Sequence, residues 1–301
     1  MEAKNSKFSI LITTKNRLSD LKETLNQLAC FIDNDDVEFI ICDDGSSDGT
    51  STFIETNYKS IQLIKNAKSK GLIFSRNRLL HLTKAKYAIT LDDDAYIVSQ
   101  NPLEKIEAFF DSNKKCAVIA FRVFWGKTLP DTLNHTLVST RVKGFVGCGH
   151  VWRMDAWRSL PDYPDWFVFY GEEEFAGFHL FKKDWEIWFV PDVLIHHRVD
   201  VKARKKHQDY TTRLRRSLRS GWYLYLLFYP LKYIPKRLAY TLWMQLKLKV
   251  FKGDFRALLA ILGAIFDVLF NMPRLLNNRN SLTEAELKRF YQLNETIIYW
   301  S

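Results

Sequence analysis

The chain has 301 residues, of which 47% are apolar, 15% aromatic and 26% charged, which is enough to bury a sizeable core and excludes a disordered or low-complexity protein. Its four cysteines, Cys30, Cys42, Cys116 and Cys148, lack CxxC spacing, which speaks against a zinc site or a disulfide framework and for a reducing compartment. The net charge of +10 is uneven: residues 201–250 carry thirteen Lys/Arg against Asp209 alone, whereas residues 1–200 sum to −3, so the two parts present different surfaces to different partners.

The first apolar run, within Phe8 to Thr13, is too short for a signal peptide, and residence in the cytoplasm is expected. It reads as a strand, followed by the polar turn Thr14-Lys15-Asn16-Arg17 and a helical pattern of Leu18, Leu21, Leu25 and Leu28. Val37 to Cys42 is a second strand, ending in the turn-rich Asp43-Asp44-Gly45-Ser46-Ser47-Asp48-Gly49-Thr50. Ile61 to Ile64 is a third strand, a helix is expected over Ser75 to Lys84, and Tyr87 to Leu91 is a fourth strand running into Asp92, Asp93 and Asp94. Strands alternating with helices imply βαβ units, hence a Rossmann-like α/β fold with a mainly parallel sheet and helices on both faces. Ligands of such sheets bind beyond the carboxyl ends of the strands, where three of these polar clusters fall.

Beyond residue 100 the pattern is mixed. Ala117 to Phe124 alternates, Gly144 to Gly149 reads as a glycine-punctuated strand, and Glu186 to Val190 and Val193 to Ile195 read as two short strands around Pro191. After about residue 201 the chain turns helical and basic, which suggests a catalytic domain over 1–200 and a basic amphipathic helical region over 201–301.

Three consecutive carboxylates at a strand end repel one another unless a cation lies between them, and hard oxygen ligands favour Mg²⁺ or Mn²⁺; a solvated acidic turn is the alternative. Asp44 to Glu55 also matches the spacing of a calcium loop, but an EF-hand needs a helix before the loop and Val37 to Cys42 is a strand. Gly171-Glu172-Glu173-Glu174 offers a general base, or a helix start favoured by its dipole. His196 and His197 end a strand on opposite faces, so at most one of them points into the crevice as a ligand.

These elements together resemble the family 2 glycosyltransferases of the GT-A fold, over roughly residues 6–200. The matching stretches are Ile12 to Arg17, Cys42 to Thr50, Arg76-Asn77, Leu91 to Asp94, Gly171 to Glu173 and Pro191 to His197. The resemblance implies that Thr13 and Asp44 hold the nucleotide base and that Arg76 flanks the nucleotide. It makes Asp92 and Asp94 the outer members of the DxD motif, with Asp94 the direct metal ligand, His197 completing the site and Asp93 on the nucleotide side. Glu173 falls at the catalytic base, with Glu172 the substitute if the helix register differs, and His196 stands where an aromatic is usual. Phe175-Ala176 and His179 depart from the family pattern, so the acceptor-side helix is atypical. The implied reaction is a single inverting displacement from a nucleotide-sugar donor to a hydroxyl of a glycan or lipid-linked acceptor.

The apolar stretch around Gly221 to Tyr229 is too short to span a bilayer, and Phe255 to Met272 is interrupted by Arg256 and Asp267. Cationic flanks on apolar faces suit helices lying on an anionic membrane, which would place the protein peripherally on the inner face of the cell membrane; dense aliphatics disfavour nucleic acid. A helical bundle packed on the catalytic domain, or a homo-oligomer contact, is the structural alternative. Two rival functions are a nucleotidyltransferase, which should carry a glycine-rich phosphate loop that Thr13 to Arg17 lacks, and a catalytically inactive sugar-binding or membrane scaffold.

Overall fold

The computed structural model describes residues 6–199 and 209–300. Strands β1 (Phe8–Thr14), β2 (Val37–Asp43), β3 (Gln62–Lys65) and β4 (Tyr87–Asp92) alternate with helices α1 (Leu18–Gln27), α2 (Ala29–Ile32), α3 (Thr50–Asn57) and α4 (Leu72–Leu82). These strands pair in parallel in the order β3-β2-β1-β4. Every residue of β1 is buried, as expected of a strand covered on both faces. Leu11 enters one core with Ile40 and Ala88, while Ile10 and Ile12 enter the other with Ile41 and Leu91. Helix α4 starts three residues before the expected Ser75, directly after Gly71, whose φ of +100° suits glycine.

The second half adds β5 (Ala95–Ile97), α5 (Pro102–Ser112), β6 (Cys116–Trp125), β7 (Thr140–Val142), β8 (Gly149–Arg153), α6 (Met154–Arg158), α7 (Glu172–Lys182) and β9 (Glu186–His197). The sheet continues β4-β8-β6-β9-β5 and becomes mixed, because β8 runs antiparallel to both β4 and β6 while β6 and β9 are parallel. Two strand expectations change. The glycine-punctuated segment forms a strand only from Gly149, the residues before it being loop and turn. The two strands around Pro191 are one strand, whose register against β6 breaks between Phe121 and Arg122, absorbing a proline that has no N–H to give.

The C-terminal region comprises α8 (Tyr210–Phe228), α9 (Ile234–Leu248), α10 (Phe255–Phe270), α11 (Met272–Asn277), α12 (Glu284–Tyr291) and β10 (Ile298–Trp300). The expected boundary near residue 201 lies outside the described residues. Helix α8 packs on α7: Phe228 stacks on Phe178 at 4.7 Å between ring centres, and Phe290 stacks on the same ring at 4.6 Å. Burying such a side chain is worth roughly 1.5–3 kcal/mol, so this aromatic column is a principal anchor. Strand β10 then pairs in parallel with the end of β6, which ties the last part of the region to the sheet. Among the described residues no helix is long and apolar enough to cross a membrane.

Candidate active site

The parallel strands deliver their ends to one place. Thr13 of β1 lies opposite Asp92 of β4, and Thr14 opposite Asp43 of β2. Strand β9 brings His197 in from the other half, paired with Trp125 of β6 on one side and Ala95 of β5 on the other. Asp94, next to Ala95, is thereby set against His197, with 3.0 Å between Asp94 Oδ1 and His197 Nε2. Asp92 Oδ2 lies 4.0 Å from the same nitrogen. The ligand atoms of Asp92, Asp94 and His197 all fall within 4.8 Å of one another.

Asp94 and His197 are both buried, with an oxygen of one facing a nitrogen of the other, and Asp92 closes the group beside them. Two carboxylates and an imidazole suit Mg²⁺ or Mn²⁺, so the residues present fit a divalent cation. Burial works to raise the Asp94 carboxyl, but His197 and Arg17 outweigh it and hold the group well below the usual carboxylate range. His196 is committed elsewhere, between the Tyr96 hydroxyl and the Gly126 carbonyl, each at 2.9 Å. Strand alternation thus sends one histidine to the carboxylates and the other away.

Asp93 is buried and fully engaged. It accepts from Thr14 Oγ1 at 2.8 Å and pairs with Arg17 at 2.8 Å, while its carbonyl accepts from Thr24 Oγ1 at 2.8 Å. Burial pushes its carboxyl up to about 7 against the pull of Arg17. These contacts bolt the end of β4 to β1 and α1.

Arg76 occupies the middle of the site. The buried residues of α4 include Ser75, Arg76 and Asn77, and the Arg76 guanidinium reaches three segments at once. It donates to Glu172 Oε1 at 2.7 Å, to Asp92 Oδ1 at 2.8 Å and to the Gly147 carbonyl at 3.0 Å, with Glu173 Oε1 at 3.6 Å. Glu172 is consumed by this pairing, with 3% of its side chain exposed; Glu173 keeps 20%. Burial, then the adjacent Glu172, push the Glu173 carboxyl up to about 8. Glycine at 147 leaves the space these two side chains occupy, because a Cβ there would overlap Glu173 Oε1 and stand 2.7 Å from Arg76 Nη1.

The turn leading into these glutamates is strained. Val168 has φ +66° and Tyr170 φ +72°, and a β-branched residue rarely adopts such a conformation. Helix α8 holds it in place: Arg219 donates to the Phe167 carbonyl and Ser220 to that of Phe169 at 3.3 Å.

At the end of β1, the Thr13 hydroxyl is buried without a partner. Asp44 is saturated, accepting from Asn66 Nδ2 at 2.8 Å, Ser69 Oγ at 2.6 Å, Lys70 N at 2.8 Å and Gly71 N at 2.9 Å. Its carboxylate therefore shapes the 66–71 segment that starts α4. Sequence reasoning missed Arg17 as the cation bridging Asp93 and Asp94, Gly147 as the space for Arg76, and Trp125, whose ring meets His197 edge-on at 4.7 Å. Arg17 and Gly147 stood inside stretches already singled out, whereas the place of Trp125 against His197 depends on the pairing of β6 with β9.

Comparison with solved structures gives likenesses to a GalNAc-T7 structure with UDP, GalNAc and Mn²⁺ (14% identity, TM-score 0.58, covering 77% of this chain and 49% of that one) and to S. aureus TarS (18%, 0.54, 73% and 40%). The mannosyltransferase PcManGT of Pyrobaculum calidifontis, in complex with GDP-Man and Mn²⁺, is similar over 95% of this chain and 79% of its own, at 14% identity and a TM-score of 0.55. The chain thus spans about half or less of the length of the first two, and identities this low speak for the fold alone. Comparison with curated protein sequences gives no match. The sequence profile described as glycosyl transferase family 2 matches residues 9–171, more than half of the chain, and with a crevice of this geometry at the strand ends we conclude that the chain belongs to that family and has the GT-A fold.

Proposed function

We propose that the protein is an inverting, metal-assisted glycosyltransferase, moving a sugar from a nucleoside-diphosphate sugar to a hydroxyl of a glycan or lipid-linked acceptor at the cytoplasmic face of a membrane. The observation that carries this reading is the link through Arg76, which joins the Asp92, Asp94 and His197 cluster to the Glu172 and Glu173 pair within one buried guanidinium's reach.

Asp92, Asp94 and His197 would hold Mg²⁺ or Mn²⁺, and a cation bound there supplies Lewis-acid stabilisation of the departing diphosphate. Thr13 offers its unpartnered hydroxyl to the nucleotide, and Asp44 acts through the 66–71 segment it fixes. Glu173, more exposed than Glu172 and less tightly paired, takes the proton from the attacking acceptor hydroxyl. Arg76 pairs with Glu172 and fixes where Glu173 stands. A cleft of about 430 Å³ borders the start of the glutamate helix, lined by Phe145, Glu174, Phe178, Tyr225, Tyr229 and Tyr291, and aromatic faces of this kind suit sugar rings on the acceptor side.

Incubating the protein with a panel of nucleotide sugars and Mn²⁺ tests the proposal. Release of nucleoside diphosphate, with inverted anomeric configuration in the product, is expected. Pyrophosphate release would point to nucleotidyl transfer, and no release from any donor, despite nucleotide binding, to an inactive scaffold.

A further inference from the structure

Helix α10 is apolar around its whole circumference, yet only one side is covered. Ala257, Ala260, Ile261, Ala264 and Val268 form the buried stripe, at helical spacing. Asp267, the only charged residue of the helix beyond Arg256, turns inward to Arg215 at 2.8 Å and accepts from the Tyr223 hydroxyl through its carbonyl at 2.9 Å. The outer side is left with Phe255, Leu259, Leu262, Phe266, Leu269 and Phe270, from 55% to 76% exposed. Trp243 and Phe251, whose rings meet at 6.0 Å between centres, are exposed as well, and an uncovered apolar row of this kind marks an interaction site.

The charge around it selects the partner. Between Asp209 and Asp254 the chain has ten Lys/Arg and no Asp or Glu. Lys236, Lys247 and Lys252 stand exposed on α9 and on the turn that follows it. A second copy of the chain would bring the same cations against them, and like charges facing each other are costly. A nucleic acid would satisfy the cations and leave the phenylalanine and leucine row wet. An anionic bilayer satisfies both, taking the apolar row into the acyl boundary and the lysines at the headgroups.

We propose that the outer face of α10, with the lysines of α9 and the 247–252 turn, docks the protein on an anionic lipid surface. The inference stands apart from the transfer chemistry, since failure to release diphosphate would leave it intact. Flotation of the full chain with phosphatidylcholine vesicles, with and without phosphatidylglycerol, at low and high salt tests it. Binding is expected only with phosphatidylglycerol and should weaken with salt. Leu262→Ser with Phe266→Ser, and separately Lys247→Glu with Lys252→Glu, should each reduce bound protein at least ~10-fold while diphosphate release in solution is unchanged. All four side chains are exposed, so folding is spared. No flotation with anionic vesicles, equal binding to neutral ones, or a dimer in solution that the serine pair abolishes without any vesicle binding would each overturn the proposal.

Discussion

Arg76 and Asp92, sixteen positions apart, meet at 2.8 Å at the point where α4 and β4 converge, and the same guanidinium holds Glu172 at 2.7 Å. Removing one partner of a buried pair leaves the other charge unsatisfied, at a cost of about 3–5 kcal/mol. Arg76→Ala should therefore lower the melting temperature by roughly 6–20 °C, at about 2–4 °C per kcal/mol for a chain of this size. Arg76→Lys keeps a charge but not the fork that spans both carboxylates, and should fold while losing most turnover. Calorimetry beside diphosphate release separates the two; an active, stable alanine variant would refute the clamp.

Asp94→Asn and His197→Ala address the cation. Mn²⁺ or Mg²⁺ should raise the melting temperature of the wild-type protein, by mass action on the folded state, and neither variant should respond. Chelation should abolish transfer, and added Mn²⁺ should restore it. Transfer by either variant should fall by at least ~100-fold. An unchanged thermal response to Mn²⁺ in both would move the cation elsewhere.

Glu173→Gln preserves size but cannot accept a proton. Donor affinity should hold within a factor of about two while turnover drops by ~10²–10⁴-fold. The ionised carboxylate is the base, so the wild-type rate should climb with pH and level off above about 8, where this raised group loses its proton. Stability has the opposite slope: the folded state binds this proton more tightly than the unfolded chain, so the contribution is present below the ordinary value of 4.5 and is lost as pH rises through about 8. A pH-independent rate across that window contradicts the assignment.

Gly147→Ala sets a methyl group where Glu173 and Arg76 need room. The pair must shift by about an ångström, which for a reacting group costs on the order of 10²-fold in turnover. Circular dichroism should report an intact fold, and full activity would show that the loop yields freely.

Thr13→Val separates binding from folding. The hydroxyl is buried and unpartnered, so losing it should leave stability equal or slightly improved. Donor affinity should weaken by roughly threefold to tenfold, one hydrogen bond's worth. Isothermal titration with nucleoside diphosphate decides, and an unaltered affinity would clear Thr13 of contact with the donor.

Much of this site is legible in the sequence, for local reasons. The apolar run Tyr87 to Leu91 announces a buried strand, and three carboxylates after it must be aimed at the strand ends. Alternation alone says that His196 and His197 cannot both face Asp94. Long-range contacts are less legible. The reach of Arg76 to Glu172 depends on how α4 and α7 pack across the sheet, and the Arg17 bridge on a turn whose residues look like ordinary surface polars. The bonds of Asp93 to Thr14 and Arg17 likewise follow from the parallel register of β1 and β4, which one chain segment cannot display.

The pairing of β10 with β6 bears on how the protein can be cut. Ile298 and Tyr299 lie along Val123 and Phe124, and the Tyr299 ring stacks on Phe124 at 5.3 Å. A fragment ending near residue 200 would bare that stretch of β6 as an unpaired edge, up to and including the Trp125 that rests on His197. Open edges recruit strands from other molecules. Such a fragment should aggregate, and its inactivity would reveal nothing about whether the helices take part in transfer.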